Sequence, residues 1–241
     1  MIKLLSGLHH FKEEIYEVLK DFFTYLAHNH HPEVIFVTCS DARVVPNLLT
    51  QTAPGELFTV RNAGNIVPDH HEHSGAEEAA IEFAVTQLGV KEIVVCGHSQ
   101  CGAMRGLLNP ENLSNMPAMS KWLGYADKTA RILKENYSHV TDKEALLNIA
   151  VQENVLVQLE NISSLPCIAK KLSKREIELH GWVWKIETGQ VFVYDHINEE
   201  FRDSAALSDD FESMTEAEMK ASSVAGRDLL KTALRKAKPS T

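Results

Sequence analysis

The chain has 241 residues, 44% of them hydrophobic and 24% charged, with a formal net charge of −9. That length suits one domain with appendages or two small domains, either able to bury a substantial core, and the acidic balance argues against a nucleic-acid binder, which needs a basic face. No apolar run approaches the roughly 20 residues that span a bilayer, the N-terminus lacks a signal-peptide core, and four cysteines in so long a chain do not make a disulfide framework; the expectation is a reduced, soluble, cytoplasmic protein with no membrane partner.

Residues 3–27 carry Leu5, Leu8, Ile15, Val18, Leu19, Phe22, Phe23 and Leu26 at steps of three and four, with Phe11 on the same stripe. This spacing predicts an amphipathic helix. Its apolar face is long, so it must pack on its own sheet or on a second subunit. His28, His30 and His31 follow in a linker. A solvated turn is the simple reading of His28 and His31, metal binding the sharper one.

After Pro32, the β-branched and aromatic run Val34–Thr38 has the pattern of a buried strand in a parallel sheet. Cys39, Asp41 and Arg43 come next, beyond the strand's carboxyl end, where open α/β sheets bind ligands. If the chain stays extended there, alternate residues share a side, so all three point the same way. Val44–Gln51 reads as a short helix with Pro46 near its start, and Glu56–Val60 as a second strand. Arg61–Asn65 reads as a polar, flexible loop. Ser74 and Glu77 have capping-box spacing, opening a helix that runs to about Leu88 and stops at Gly89.

Glu92–Cys96 is another short apolar run, and Gly97-His98-Ser99-Gln100-Cys101-Gly102 follows at once. If both runs are strands of one parallel sheet, their carboxyl ends share an edge. Cys39, His98 and Cys101 then converge, although 59 positions separate the first two. Two thiolates and an imidazole suit zinc, and three protein ligands leave a fourth position open. Asp41 is a fourth ligand or the partner of whatever fills that position. The plain alternative is a pair of unrelated buried cysteines. Finding C-x-D-x-R and H-x-x-C each directly after an apolar strand favours zinc.

Ala103–Leu108 starts a further helix, residues 116–136 are helical with interruptions, and 143–161 form a stronger amphipathic helix. Gly181–Ile186 and Val191–Tyr194 read as a hairpin, or a strand with a short return. Cys96 is strand core or a redox neighbour of Cys101; Cys167 is structural. From about Arg202 the composition turns acidic and alanine-rich.

Four segments, C-S-D-A-R-V (39–44), F-T-V-R-N-A-G-N (58–65), C-G-H-S-Q-C-G (96–102) and L-H-G-W (179–182), together resemble the β-class carbonic anhydrases, most closely their carboxysomal and plant-like branch. The resemblance covers roughly residues 1–200, with an N-terminal helical arm over about 1–30, and leaves 201–241 as an acidic C-terminal appendage. It implies an α/β fold with a central four-stranded parallel sheet plus one added edge strand, flanked by helices. The long N-terminal helix would pack on a dimer partner, giving a homodimer or a dimer-based higher oligomer. One Zn²⁺ per chain would be held by Cys39, His98 and Cys101, with Asp41 able to take the fourth position.

The implied activity is reversible hydration of carbon dioxide to bicarbonate, zinc lowering the pKa of a bound water so that hydroxide attacks. Asp41 would accept the hydroxide's hydrogen bond, and Arg43 would keep Asp41 ionised and oriented by a bidentate pair. His30, Phe58, Phe83 and Gly102 would line the substrate pocket. The resemblance further implies a cytoplasmic protein, within a carboxysome for that branch, its tail docking on a carboxysome protein.

Three positions depart from the family pattern. His30 stands where a glutamine usually donates to substrate oxygen, Phe83 where a tyrosine is common, and Glu78 where a small residue is expected. A neutral imidazole still donates one hydrogen bond, so His30 either replaces the glutamine, sits too far back, or binds the metal's open position. Glu78 is expected on the solvated first turn of its helix, where the dipole favours it. Reduced but real activity is the expectation. Two rivals stand beside it: a zinc-holding relative that serves as a scaffold or bicarbonate-responsive partner, and a carbon disulfide or carbonyl sulfide hydrolase.

Overall fold

The apolar run after Pro32 forms β1 (Val34–Cys39), buried at every residue but the first. β2 (Leu57–Asn62), β3 (Glu92–His98) and β4 (Glu178–Trp184) lie parallel to it in the order β2-β1-β3-β4. The computed structural model describes residues 1–207. Ile35, Val37, Ile93 and Val95 are fully buried, each stabilising the fold by roughly 1.5–3 kcal/mol of transfer free energy. β5 (Val191–Asp195) adds antiparallel to β4, and β6 (Glu200–Asp203) antiparallel to β5.

The sheet therefore carries two added strands where the sequence suggested one. β6 crosses the boundary drawn at 200/201. Its turn is held by Asp195, which accepts from the backbone of Ile197 and Asn198 and pairs with Arg202. A composition shift after Arg202 cannot reveal a strand this short. Residues 208–241, with the tail read as a carboxysome-docking appendage, lie outside the described residues.

The helices are α1 (Ile2–His10), α2 (Glu17–Leu26), α3 (Pro46–Thr50), α4 (Ala76–Thr86), α5 (Gly102–Leu108), α6 (Pro117–Leu123), α7 (Asp127–Asn136), α8 (Lys143–Ser164) and α9 (Pro166–Leu172). α1 and α2 run together through a π-helical turn at Phe11–Tyr16. Only Leu19 of this arm is buried, and Leu4, Leu5 and Leu8 are 58–69% exposed. The apolar residues of α1 are thus not covered by their own sheet, one of the two places expected for the arm's apolar face, whereas Leu19 is buried and Leu26 lies against Gly55. α4 starts after Gly75 with no side-chain cap, so the capping box does not form. Glu77 instead accepts from Asn62 Nδ2 at 3.1 Å.

α8 covers one face of the sheet. It comes so close to β3 that a Cβ on Gly97 would lie 2.9 Å from methyl carbons of Val151 and Val155; glycine is needed there for space. On the other face Phe36, Val94 and Cys96 pack with Trp182 and Trp184 beneath an open apolar groove of about 600 Å³. The parallel register sets Thr38 beside Arg61 on β2 and Cys96 on β3. The carboxyl ends of β1 and β3 therefore reach one edge side by side, which positions the site.

Candidate metal centre

Cys39 closes β1, His98 closes β3, and Cys101 is the residue before α5. The two sulfurs and a ring nitrogen of His98 all lie within 4.8 Å of one another, and all three residues are buried. His98 Nδ1 is 2.8 Å from the Ser99 carbonyl. A carbonyl only accepts, so Nδ1 carries the proton and Nε2 presents its lone pair. Nε2 is buried without a hydrogen-bond partner. An orphaned buried acceptor is costly, and a cation between the sulfurs would satisfy it.

The thiols fit the same reading. A hydrogen bond from Cys101 holds the Cys39 thiol down to about 4, against burial, with the Gly64 N–H adding to the effect. The same hydrogen bond, with burial, pushes Cys101 up, although the backbone N–H groups of Met104 and Ala103 favour its thiolate. Cys39 thus favours the thiolate, and Cys101 keeps its proton and donates it to that sulfur. A divalent cation replaces that proton and takes both thiolates. His98, fixed through its second nitrogen, is the usual arrangement of a zinc-ligating imidazole.

Asp41 is not in this donor cluster. Arg43 Nε donates to its Oδ1 at 2.9 Å and Nη2 to its Oδ2 at 2.7 Å, a bidentate pair reinforced by the Arg43 backbone N–H. The Arg43 guanidinium holds the Asp41 carboxyl well below the usual carboxylate range. Arg61, on β2, fixes the turn bearing both: its Nε and Nη2 donate to the Cys39 carbonyl, and Nη2 also to those of Asp41 and Val44.

A family model described as "Carbonic anhydrase" matches residues 34–191. A carbonic anhydrase of Synechocystis is 43% identical over 202 residues, 83% of this chain and 73% of its own. One from Pseudomonas aeruginosa is 41% identical, covering 83% and 90%. The solved structure of the β-carbonic anhydrase CcaA superposes with a TM-score of 0.82 at 43% identity, over 84% of this chain and 91% of that one. The chain belongs to the β-class carbonic anhydrase family. A tetrameric β-carbonic anhydrase from Sordaria macrospora is similar too, with a TM-score of 0.72 at 28% identity over 79% and 94%.

The four positions that the family resemblance assigned to the substrate pocket are not together in one chain. Gly102 follows Cys101 at the donor end. The His30 ring lies 6.5 Å from that of Phe58, and Phe58 lies 6.2 Å from Phe83. Phe58 pairs with Ile35, whereas Asn62 pairs with Cys39. Those four residues put Phe58 about 13 Å back along the strand from the donors. Glu78 is not solvated as expected: its side chain is 17% exposed and lies 2.7 Å from His70 Nδ1.

The loop after β2, expected to be flexible, is gripped on every side. Asn62 exchanges side-chain hydrogen bonds with the backbone of Ile66, and Trp122 Nε1 donates to the Ala63 carbonyl. Gly64 has φ +85, and a Cβ there would lie 2.9 Å from that of Ala103. Its N–H donates to Cys39 Sγ at 3.3 Å. Arg61, Ser99, Asn154 and Gln158 were not foreseen as part of the site's support. The readable signal was polar side chains at Asn154, Gln158 and Asn161, spaced four and three apart along the otherwise apolar buried face of α8.

Proposed function

We propose that this chain catalyses reversible hydration of carbon dioxide to bicarbonate, with one Zn²⁺ held by Cys39, His98 and Cys101. The observation that carries the reading is the buried, unpartnered His98 Nε2, on a ring with a nitrogen within 4.8 Å of the sulfurs of Cys39 and Cys101. Zinc, when bound, acidifies water and so supplies a nucleophile near neutral pH. Asp41 is ionised and can only accept, so it orients a hydroxyl group by taking its hydrogen bond. Arg43 fixes the carboxylate plane by bidentate pairing. Burial of Cys39, His98 and Cys101, 5% exposed or less, strengthens their attraction for a cation.

The reading includes a cytoplasmic homodimer or dimer-based oligomer, and, for the carboxysomal and plant-like branch, a carboxysome location. A domain spanning 1–200 with an appendage over 201–241 belongs to the same reading. His30, Phe58 and Phe83 reach a metal only if a partner subunit brings its own cluster to the open corner. Stopped-flow carbon dioxide hydration by zinc-loaded protein is the test, and a rate equal to buffer would sink the proposal in favour of a scaffold. Sulfide release from carbon disulfide would point to the sister hydrolases.

A further inference from the structure

Gln100 lies between His98 and Cys101 with φ +56, in the left-handed region. A residue with a side chain stays there only when its surroundings impose it. Here two charged groups do so. Gln100 Nε2 donates to Glu144 Oε2, in the first turn of α8, at 2.6 Å, and Gln100 Oε1 accepts from Arg105 Nη2, on α5, at 2.5 Å. Arg105 and Glu144 are themselves 3.7 Å apart. Turned this way, the backbone of Gln100 offers its carbonyl to Arg43 Nη2 at 3.2 Å. The same nitrogen donates to Asp41 Oδ2.

We propose that Gln100 is a positioning residue: anchored by Glu144 and Arg105, its carbonyl holds Arg43 on Asp41, and so keeps Asp41 from taking the metal's fourth position. This rests on the carbonic anhydrase reading. Arg43 is half exposed, its side chain 49% accessible, so the pair with Asp41 alone leaves the guanidinium free to rotate towards solvent. A second acceptor on the far side of Nη2 removes that freedom. The side chains of Glu144 and Arg105 meet at Gln100, and the Arg105 N–H on the Cys101 carbonyl survives an alanine substitution, so that substitution tests the side-chain link.

Three full-length variants test this: Gln100→Ala, the remote pair Arg105→Ala with Glu144→Ala, and all three changes together. Each is measured as the zinc form for kcat/KM of carbon dioxide hydration. Each is also measured as the cobalt(II) form for thiocyanate affinity, read from the visible spectrum. Gln100→Ala lowers both by about tenfold, the usual effect of removing a group that orients a metal site's neighbours, while metal stays at one per chain. The remote pair moves both in the same direction, and the triple variant is no worse than Gln100→Ala because all act through one linkage.

Thiocyanate affinity within twofold of wild type in Gln100→Ala overturns the proposal, as does additivity in the triple variant. Should Gln100→Ala lose its metal, the remote pair decides alone, and an unchanged affinity there overturns it. A wild-type zinc protein without hydration activity would sink the functional reading, while the thiocyanate series would still judge Gln100.

Discussion

Asn154, midway along α8, donates its side-chain amide to the carbonyl of Gly64 at 2.9 Å across 90 positions of sequence. Gly64 in turn gives its N–H to Cys39 Sγ. Two turns of the same helix continue the grip: Gln158 accepts from the Val67 N–H and donates to Asn154 Oδ1, and Asn161 donates to the Val67 carbonyl. The helix that covers the sheet thus also sets the loop that steadies Cys39, the first residue of the candidate metal cluster. Asn154→Ala leaves the Gly64 carbonyl and Gln158 Nε2 unpaired in a buried site. It should destabilise the protein by about 2 kcal/mol, seen as a lower urea midpoint at unchanged slope. An unchanged midpoint would show that the buried amides do not support this loop.

Cys101→Ser replaces a thiolate with a poor zinc ligand. Zinc measured after gel filtration should fall well below one per chain. Cys96→Ala should keep its metal: Cys96 is fully buried in β3, and burial pushes its thiol up to about 12, which makes it strand core and not a redox neighbour. Full zinc in the serine variant would remove Cys101 from the ligand set.

The convergence of Cys39, His98 and Cys101 could be read from sequence because each lies at or just beyond the end of a short apolar run, and parallel strands end on one edge. Arg61 and Asn154 were not legible for the opposite reason: they act through backbone carbonyls of residues that are distant in the chain, and no local spacing encodes that. Arg61 looked like loop polarity because its partners, the carbonyls of Cys39, Asp41 and Val44, belong to the neighbouring strand's turn. β6 was missed because its pairing depends on β5 and on a turn built around Asp195, and not on its own four residues.

Tyr137 donates to Glu153 Oε1 at 2.6 Å, and that hydrogen bond, aided by burial, pushes its phenol up to about 12. An unfolded tyrosine titrates at about 10. Between those values the folded chain keeps a proton that the unfolded chain releases. The contribution is complete below pH 10 and declines as pH rises through 12. Urea midpoints of wild type and Tyr137→Phe should differ at pH 8 and converge by about pH 12. A gap that stays constant across this range would mean that the hydroxyl acts without linkage to its proton.

His30→Gln restores the amide that the family pattern expects. If the imidazole is an imperfect donor, turnover of the zinc enzyme rises by up to about tenfold, a fraction of what a well-placed donor contributes. A fall would show that the pocket formed with Phe58 and Phe83 has been rebuilt around the ring.

The arm formed by α1 and α2 carries Leu4, Leu5 and Leu8 exposed, next to a ring cluster of Phe11, Tyr16 and Phe23. An apolar stripe of this length does not stay in water unless something covers it. On the proposed reading a second copy of the chain covers it, and that neighbouring subunit would bring His30, Phe58 and Phe83 to the candidate donors. Removing residues 1–26 should therefore shift the mass from light scattering to a smaller species and lower kcat/KM, while zinc content stays near one per chain because no donor lies in the arm. The full-length mass retained after the deletion would place the interface elsewhere. Full activity in a monomeric product would show that each chain completes its own pocket.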